Sequence, residues 1–232
     1  MYKLLITLLI FSSQVYCSDF QKGYYPEWQK KRIDCIIDFY GSSWFKGKKI
    51  LEVGCGEGNI GYTFSQMGAD VTISDGRPEY CIEAKKNYPK IKVICADLDE
   101  EWAFDNQYDM IIHMATLYHL ANPEKALMDA CCHCKHLVLE TGYMDSFDDT
   151  LVIHRIEEGF DQSINNIGSF FSPSFVERIL KKCNLSFWSL QDDRCNCGYW
   201  SYDIPQTGSG DCTMSQRRMW FCRACYINNK EN

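Results

Sequence analysis

Residues 50–58 read Ile50-Leu51-Glu52-Val53-Gly54-Cys55-Gly56-Glu57-Gly58. A short apolar run leads into a loop with glycine at every second position, and helix-compatible sequence follows from Asn59 to Met67. That order, strand then glycine loop then helix, brings backbone close to a nucleotide-like ligand. Glycine has no Cβ to keep a ligand away, and the helix start offers unpaired N–H groups. Glu52 lies near the end of a strand that the apolar run predicts to be buried. A buried carboxylate is costly unless something pairs with it, and a cationic ligand group would serve.

Outward from this loop, strands and helices alternate. Strands are predicted at 48–53, 71–74, 91–96, 108–113 and 136–141, with helices at 27–40, 59–66, 78–87 and 122–132. Such alternation implies right-handed crossovers and a parallel sheet. Asn122-Pro123-Glu124 and Ser172-Pro173-Ser174 each read as a capped helix start. Glu177 stands where a capping box on Ser174 would need it. Two last strands, 185–190 and 218–226, are separated by a turn-rich loop, which predicts an antiparallel pair at one edge. The expected fold is therefore α/β: a Rossmann-like seven-stranded, mostly parallel sheet with one antiparallel edge strand and helices on both faces. The expected division is a leader over 1–17, a helical segment over 18–46 and the main domain over 47–226.

The spacing Glu52-x-Gly54-x-Gly56-x-Gly58 differs from the G-x-G-x-x-G of dinucleotide-binding loops. It resembles the E/D-x-G-x-G-x-G motif of class I S-adenosylmethionine-dependent methyltransferases, of the branch that acts on small molecules. The resemblance covers about residues 45–225, and its first half is the specific part. Ligands of open α/β sheets bind beyond the carboxyl ends of the strands, and candidate residues recur there. The resemblance implies that Glu52 engages the amino group of the donor, S-adenosyl-L-methionine, with Gly54, Cys55, Gly56 and Gly58 forming the loop beside it. Cys55 also reads as a small buried hydrophobe. Asp75, followed by Gly76, would hold the ribose hydroxyls; the same dipeptide is a good turn former. Asp97 and Leu98 would meet the adenine, although Asp97 also suits a helix cap. His113 would line the methyl site. His119 reads equally as a general base and as a structural histidine.

Methyl transfer depends mainly on alignment, so the lack of an obvious acid–base pair does not argue against an enzyme. Neither N-P-P-Y nor D-P-P-Y follows the fourth strand, and there is no Pro-Cys dipeptide. The net charge is −7, which gives no strong nucleic-acid signal. A small-molecule or protein acceptor is expected. The substrate side should come from the N-terminal helix and the spans 142–171 and 192–214. These are rich in aromatics: Tyr24, Tyr25, Trp28, Tyr143, Phe147, Phe170, Phe171, Tyr199, Trp200 and Tyr202. Arg217 and Arg218 stand at the mouth of the last strand, where they either face solvent or hold a carboxylate or phosphate. Two other classes stay open: a non-catalytic Rossmann-like binding module, and a nicotinamide-dependent oxidoreductase.

Met1-Tyr2-Lys3, an apolar run to Phe11 and small residues up to Cys17 resemble a signal peptide. The run is too short to span a bilayer. If the leader is a true signal peptide the protein is secreted or endomembrane; otherwise it is cytoplasmic. The chain has 14 Cys, but their spacing lacks the paired C-x-x-C of a zinc site, and no metal is expected.

Overall fold

The computed structural model describes residues 23–105, 107–212 and 215–225. The leader over 1–17 lies outside the described residues, and N-terminal sequencing of the mature chain tests it. Nine strands and five α-helices follow the predicted alternation. They run α1 (Tyr25–Tyr40), β1 (Lys49–Val53), α2 (Asn59–Gln66), β2 (Asp70–Asp75), α3 (Pro78–Asn87), β3 (Lys92–Cys95), β4 (Tyr108–Met114), α4 (Pro123–Cys132) and β5 (Cys134–Gly142). Then come β6 (Val152–Ile156), β7 (Ile167–Phe171), α5 (Pro173–Lys182), β8 (Leu185–Leu190) and β9 (Arg217–Ala224).

Seven strands form one sheet in the order β3-β2-β1-β4-β5-β9-β8. β1 to β5 pair in parallel, while β9 runs antiparallel to both β5 and β8. The expected mostly parallel sheet with its antiparallel pair at one edge is thus the fold. Parallel strands covered on both faces must be apolar throughout, and residues 50–53 and 110–114 are all buried. α4 and α5 pack on one face, with Leu51, Ile111, Leu139 and Trp220. α1, α2 and Ala84 of α3 pack on the other, with Ile50, Ile73, Ile112 and Phe221. Among the described residues no helix is long and apolar enough to cross a membrane.

Local signals held in part. Ser172 caps α5 by accepting the Phe175 N–H at 2.9 Å. The capping box does not form, because Glu177 instead accepts from the Trp220 indole. Asn122 makes no side-chain cap. The carboxylate of Asp99 takes the N–H groups of Ala121 and Asn122. It stands in for the cap, holding the start of α4 against the loop after β3.

One element was not anticipated. Within 142–171, β6 and β7 form a separate antiparallel hairpin. Its strands are short and half exposed, so they lack the apolar run that marks a core strand.

Candidate active site

The strand order reverses between β1 and β4, and a crevice opens there at the carboxyl ends of the strands, as expected for an open α/β sheet. It is a cleft of about 300 Å3. β1 supplies Gly54 and Gly56, β2 Asp75 and Gly76, and β3 Asp97 and Leu98. The end of β4 supplies Met114, Ala115 and Thr116, and the turn after it His119.

The glycine loop is held tightly. Gly54 and Gly56 have φ of +67° and +51°, a region that costs other residues strain. A Cβ on Gly54 would lie 1.9 Å from Thr116 Oγ1. The loop is therefore pressed against the end of β4, and the glycine is needed for that contact as much as for any ligand. Asp75 ties the loop to β2: one carboxylate oxygen accepts the Gly56 N–H at 2.8 Å, the other the Arg77 N–H at 2.9 Å. Burial pushes its carboxyl up, against those two N–H groups, which favour the ionised form. Each oxygen keeps acceptor capacity for a ligand. Asp97 accepts from Asp99 N at 3.0 Å and Asn165 Nδ2 at 3.3 Å. The cap expected of it is thus directed at its own turn, while the residue still faces the cleft.

Of the expected site residues, Gly54, Gly56, Asp75, Gly76, Asp97, Leu98 and His119 converge on this one cleft. Glu52, Cys55, Gly58 and His113 do not line it. Glu52 and Cys55 lie beneath the loop, on a crevice of about 20 Å3 shared with Tyr25, Arg32 and Gly54. Glu52 accepts the Gly61 N–H at 2.7 Å, so its partner is the start of α2. A Cβ on Gly58 would meet Ile73, Tyr88 and Ala84, which places that residue against the core. β4 runs one residue further than predicted, and successive side chains alternate faces. Met114 therefore reaches the cleft, whereas His113 is buried with neither ring nitrogen partnered. Burial pushes its imidazole down to about 4, so it is neutral at physiological pH.

Glu52 carries a stability consequence. Burial, outweighing the Gly61 N–H and the Arg32 charge, pushes its carboxyl up to about 8. At neutral pH it is protonated in the fold but ionised in the unfolded chain. Its favourable contribution is complete only below about pH 4.5 and is lost as pH rises toward 8. Glu52→Gln keeps an oxygen for Gly61 and removes the titration. It should stabilise the fold by roughly 2–4 kcal/mol at pH 7.5 and by almost nothing at pH 4.5. Equal changes in thermal midpoint at both pH values would refute this.

The hairpin completes the site. The stretch joining β6 to β7 places Asp161, Gln162, Ser163 and Ile164 on the cleft. Arg77 at the start of α3 clamps that stretch through the carbonyls of Gln162 and Ser163 at 2.7 and 3.1 Å. Just after β6, Glu157 meets His119: Oε2 lies 2.6 Å from Nδ1. Glu157 also pairs with Arg155 and accepts the Ser163 N–H. Burial alone would raise its carboxyl, but these partners outweigh it and hold the group below the ordinary range. An ionised carboxylate at Nδ1 fixes the proton there and leaves the lone pair on Nε2. Glu157 lies in a span that reads only as aromatic-rich, and no local signal in the sequence marks it.

Tyr24, Tyr25, Trp28 and Trp200 line the other side of the cleft, with Tyr118 and Arg217. Tyr143, Phe147, Phe170, Phe171, Tyr199 and Tyr202 do not. Arg217 and Arg218, for which solvent exposure was one expectation, are 1% and 2% exposed. Cys195 meets Cys35 of α1, with the sulfurs 3.1 Å apart. Among the described residues no group of three or more His, Cys, Asp or Glu could hold a metal ion.

Residues 50–136 match the methyltransferase domain family. With the sheet order above, this places the domain in the class I, Rossmann-like fold of the S-adenosylmethionine-dependent methyltransferases. The chain is 30% identical over 120 residues to the mitochondrial ubiquinone biosynthesis O-methyltransferase of Schizosaccharomyces pombe, covering 47% of this chain and 44% of that one. It is 33% identical over 110 residues to the ubiquinone biosynthesis O-methyltransferase of Rickettsia prowazekii, covering 45% and 43%. The chain thus spans less than half the length of these curated relatives. Among solved structures, the N-terminal domain of EvdMO1 with SAH bound superposes with a TM-score of 0.64 at 17% identity, over 85% of this chain and 81% of that one. Magnesium protoporphyrin IX methyltransferase from Synechocystis with bound SAM gives 0.59 at 13%, over 89% and 88%.

Proposed function

We propose that the protein transfers a methyl group from S-adenosylmethionine to a hydroxyl of a small molecule. The observation that carries this is the convergence of the glycine loop, Asp75, Asp97 and the His119–Glu157 pair on one cleft. The residues fit the donor. Asp75 offers acceptor capacity for ribose hydroxyls, and Asp97 with Leu98 offers an acid and an apolar surface for adenine. The donor, when bound, supplies a methyl group on a sulfonium. Around it the chain's residues orient and deprotonate: His119 Nε2 takes the acceptor's hydroxyl proton, and Glu157 holds the ring and stabilises the imidazolium that forms. The two relatives named above are O-methyltransferases, which supports oxygen as the accepting atom.

Asp75→Ala tests the donor site. S-adenosylhomocysteine affinity, read by calorimetry, should fall roughly tenfold to a hundredfold, the worth of hydrogen bonds to one ionised acceptor. The variant also leaves the Gly56 and Arg77 N–H groups without their acceptor, so a modest drop in melting point should accompany it. Unchanged affinity would remove Asp75 from the binding site.

A further inference from the structure

We infer that Arg217 is the cleft's receptor for a carboxylate carried by the acceptor, so that the acceptor is a small organic acid bearing the hydroxyl to be methylated. The inference rests on the methyl-transfer reading above for the word acceptor, but the anion site stands on its own observations.

The first is a charge imbalance. Glu140 on β5 is fully buried and accepts from two guanidinium groups: Arg32 Nη1 at 3.2 Å and Arg217 Nη1 at 3.0 Å. Each arginine is 1% exposed. Two cations thus share one carboxylate. Glu52, the acid facing Arg32, does not neutralise the excess, because burial keeps it protonated at neutral pH. The faces of Trp28, at 3.6 Å from Arg32 Cζ, and Trp200, at 4.2 Å from Arg217 Cζ, soften the charge. Cation–π contacts contribute about 0.5–2 kcal/mol each, less than a buried unpaired ion costs. An anion in the cleft would complete the balance.

The second is placement. Arg217 lines the cleft although it is buried. Its Nη2 donates to Tyr118 Oη at 2.7 Å, and its Nε has no partner. Nε and the Nη edge of a guanidinium form the fork that carboxylates take. Tyr118 immediately precedes His119, with ring centroids 4.1 Å apart. An acid seated on Arg217 therefore extends toward the proposed base.

The third concerns which carboxylate is meant, since the donor also carries one. The glycine loop, Asp75 and Asp97 stand at the ends of β1, β2 and β3. Arg217 stands across the switch point, on β9 beside β5. Arg32, not Arg217, shares the small crevice with Glu52 and Gly54. The geometry gives Arg217 to the acceptor.

Benzoate and its neutral isostere benzamide are the probes, titrated calorimetrically into the full chain with and without S-adenosylhomocysteine. Benzoate should bind and raise the melting temperature, whereas benzamide should bind at least about tenfold more weakly. Arg217→Gln should weaken benzoate at least about tenfold, and Arg217→Lys, which keeps the charge, should lose less. Both variants should hold S-adenosylhomocysteine within about twofold of the parent. Equal binding of benzoate and benzamide, or no binding of benzoate to the parent, overturns the inference; neither reading needs a variant to fold. A loss of S-adenosylhomocysteine as large as that of benzoate overturns it in favour of the donor's carboxylate. Failure of S-adenosylhomocysteine to bind the parent sinks the methyl-transfer reading, while the benzoate arm remains readable.

Discussion

His119→Ala should lower kcat for methylation of a hydroxylated acceptor by about a hundred- to ten-thousand-fold, the range for removing a positioned general base. Affinity for S-adenosylhomocysteine should not change, because His119 stands after β4 and the acids expected to hold the donor stand after β2 and β3. Glu157→Gln keeps the shape of the side chain and removes its charge, so Nδ1 loses the partner that fixes its proton. It should give an intermediate loss in kcat with KM nearly unchanged. The measurement is transfer of radiolabelled methyl from S-adenosylmethionine to a panel of hydroxylated small molecules. Should both variants turn over at the parent rate, His119 is a structural residue. The alignment of donor and acceptor would then account for the chemistry by itself.

Glu140→Ala should cost about 3–5 kcal/mol of stability, the penalty for breaking a buried ion pair and leaving its partners unpaired. For a chain of 232 residues that corresponds to a fall in melting temperature of roughly 6–20 °C. The size follows from the number of elements that meet at this one carboxylate. It accepts from Arg32 on α1, Arg217 on β9 and Tyr202 Oη at 3.0 Å. Tyr202 in turn accepts from the Trp28 indole at 2.8 Å. The substitution therefore frees two guanidinium groups and a phenol at once and loosens α1 from the sheet. A loss below about 1 kcal/mol in thermal or urea unfolding would mean that water reaches the arginines. The charge imbalance behind the anion site would then disappear.

Wherever chemistry was carried by consecutive residues, the sequence showed it. The glycine loop, the strand before it and the helix after it are one local signal, and Asn59–Gln66 is a helix with the bounds its pattern implied. Asp75 and Asp97 were visible because a parallel strand that ends at an acid delivers that acid to the carboxyl edge. His113 shows how sharp this inference is. The strand continues to Met114, and a single residue of register exchanges the face on which a side chain lies. Glu52 was legible as a buried acid, but its partner, the Gly61 N–H, depends on how α2 docks.

Other features had no local signature. Glu157 is 38 residues from His119 along the chain, and only the β6–β7 hairpin brings them together. Arg32 and Arg217 come from opposite ends of the domain, and each reads in isolation as an ordinary surface cation. They are buried because β9 inserts between β5 and β8 while α1 packs across the same sheet face.

The amino-acid sequence by itself determined the α/β alternation, the parallel sheet and the strand ends from which the nucleotide-facing side of the cleft is built. These follow from hydrophobic period and backbone freedom, which act over a few neighbouring residues. Tertiary structure alone decided the other side: the His119–Glu157 pair, the arginines about Glu140 and the aromatic wall. Burial and ion pairing depend on what distant segments bring into contact, and no short window of sequence contains that information.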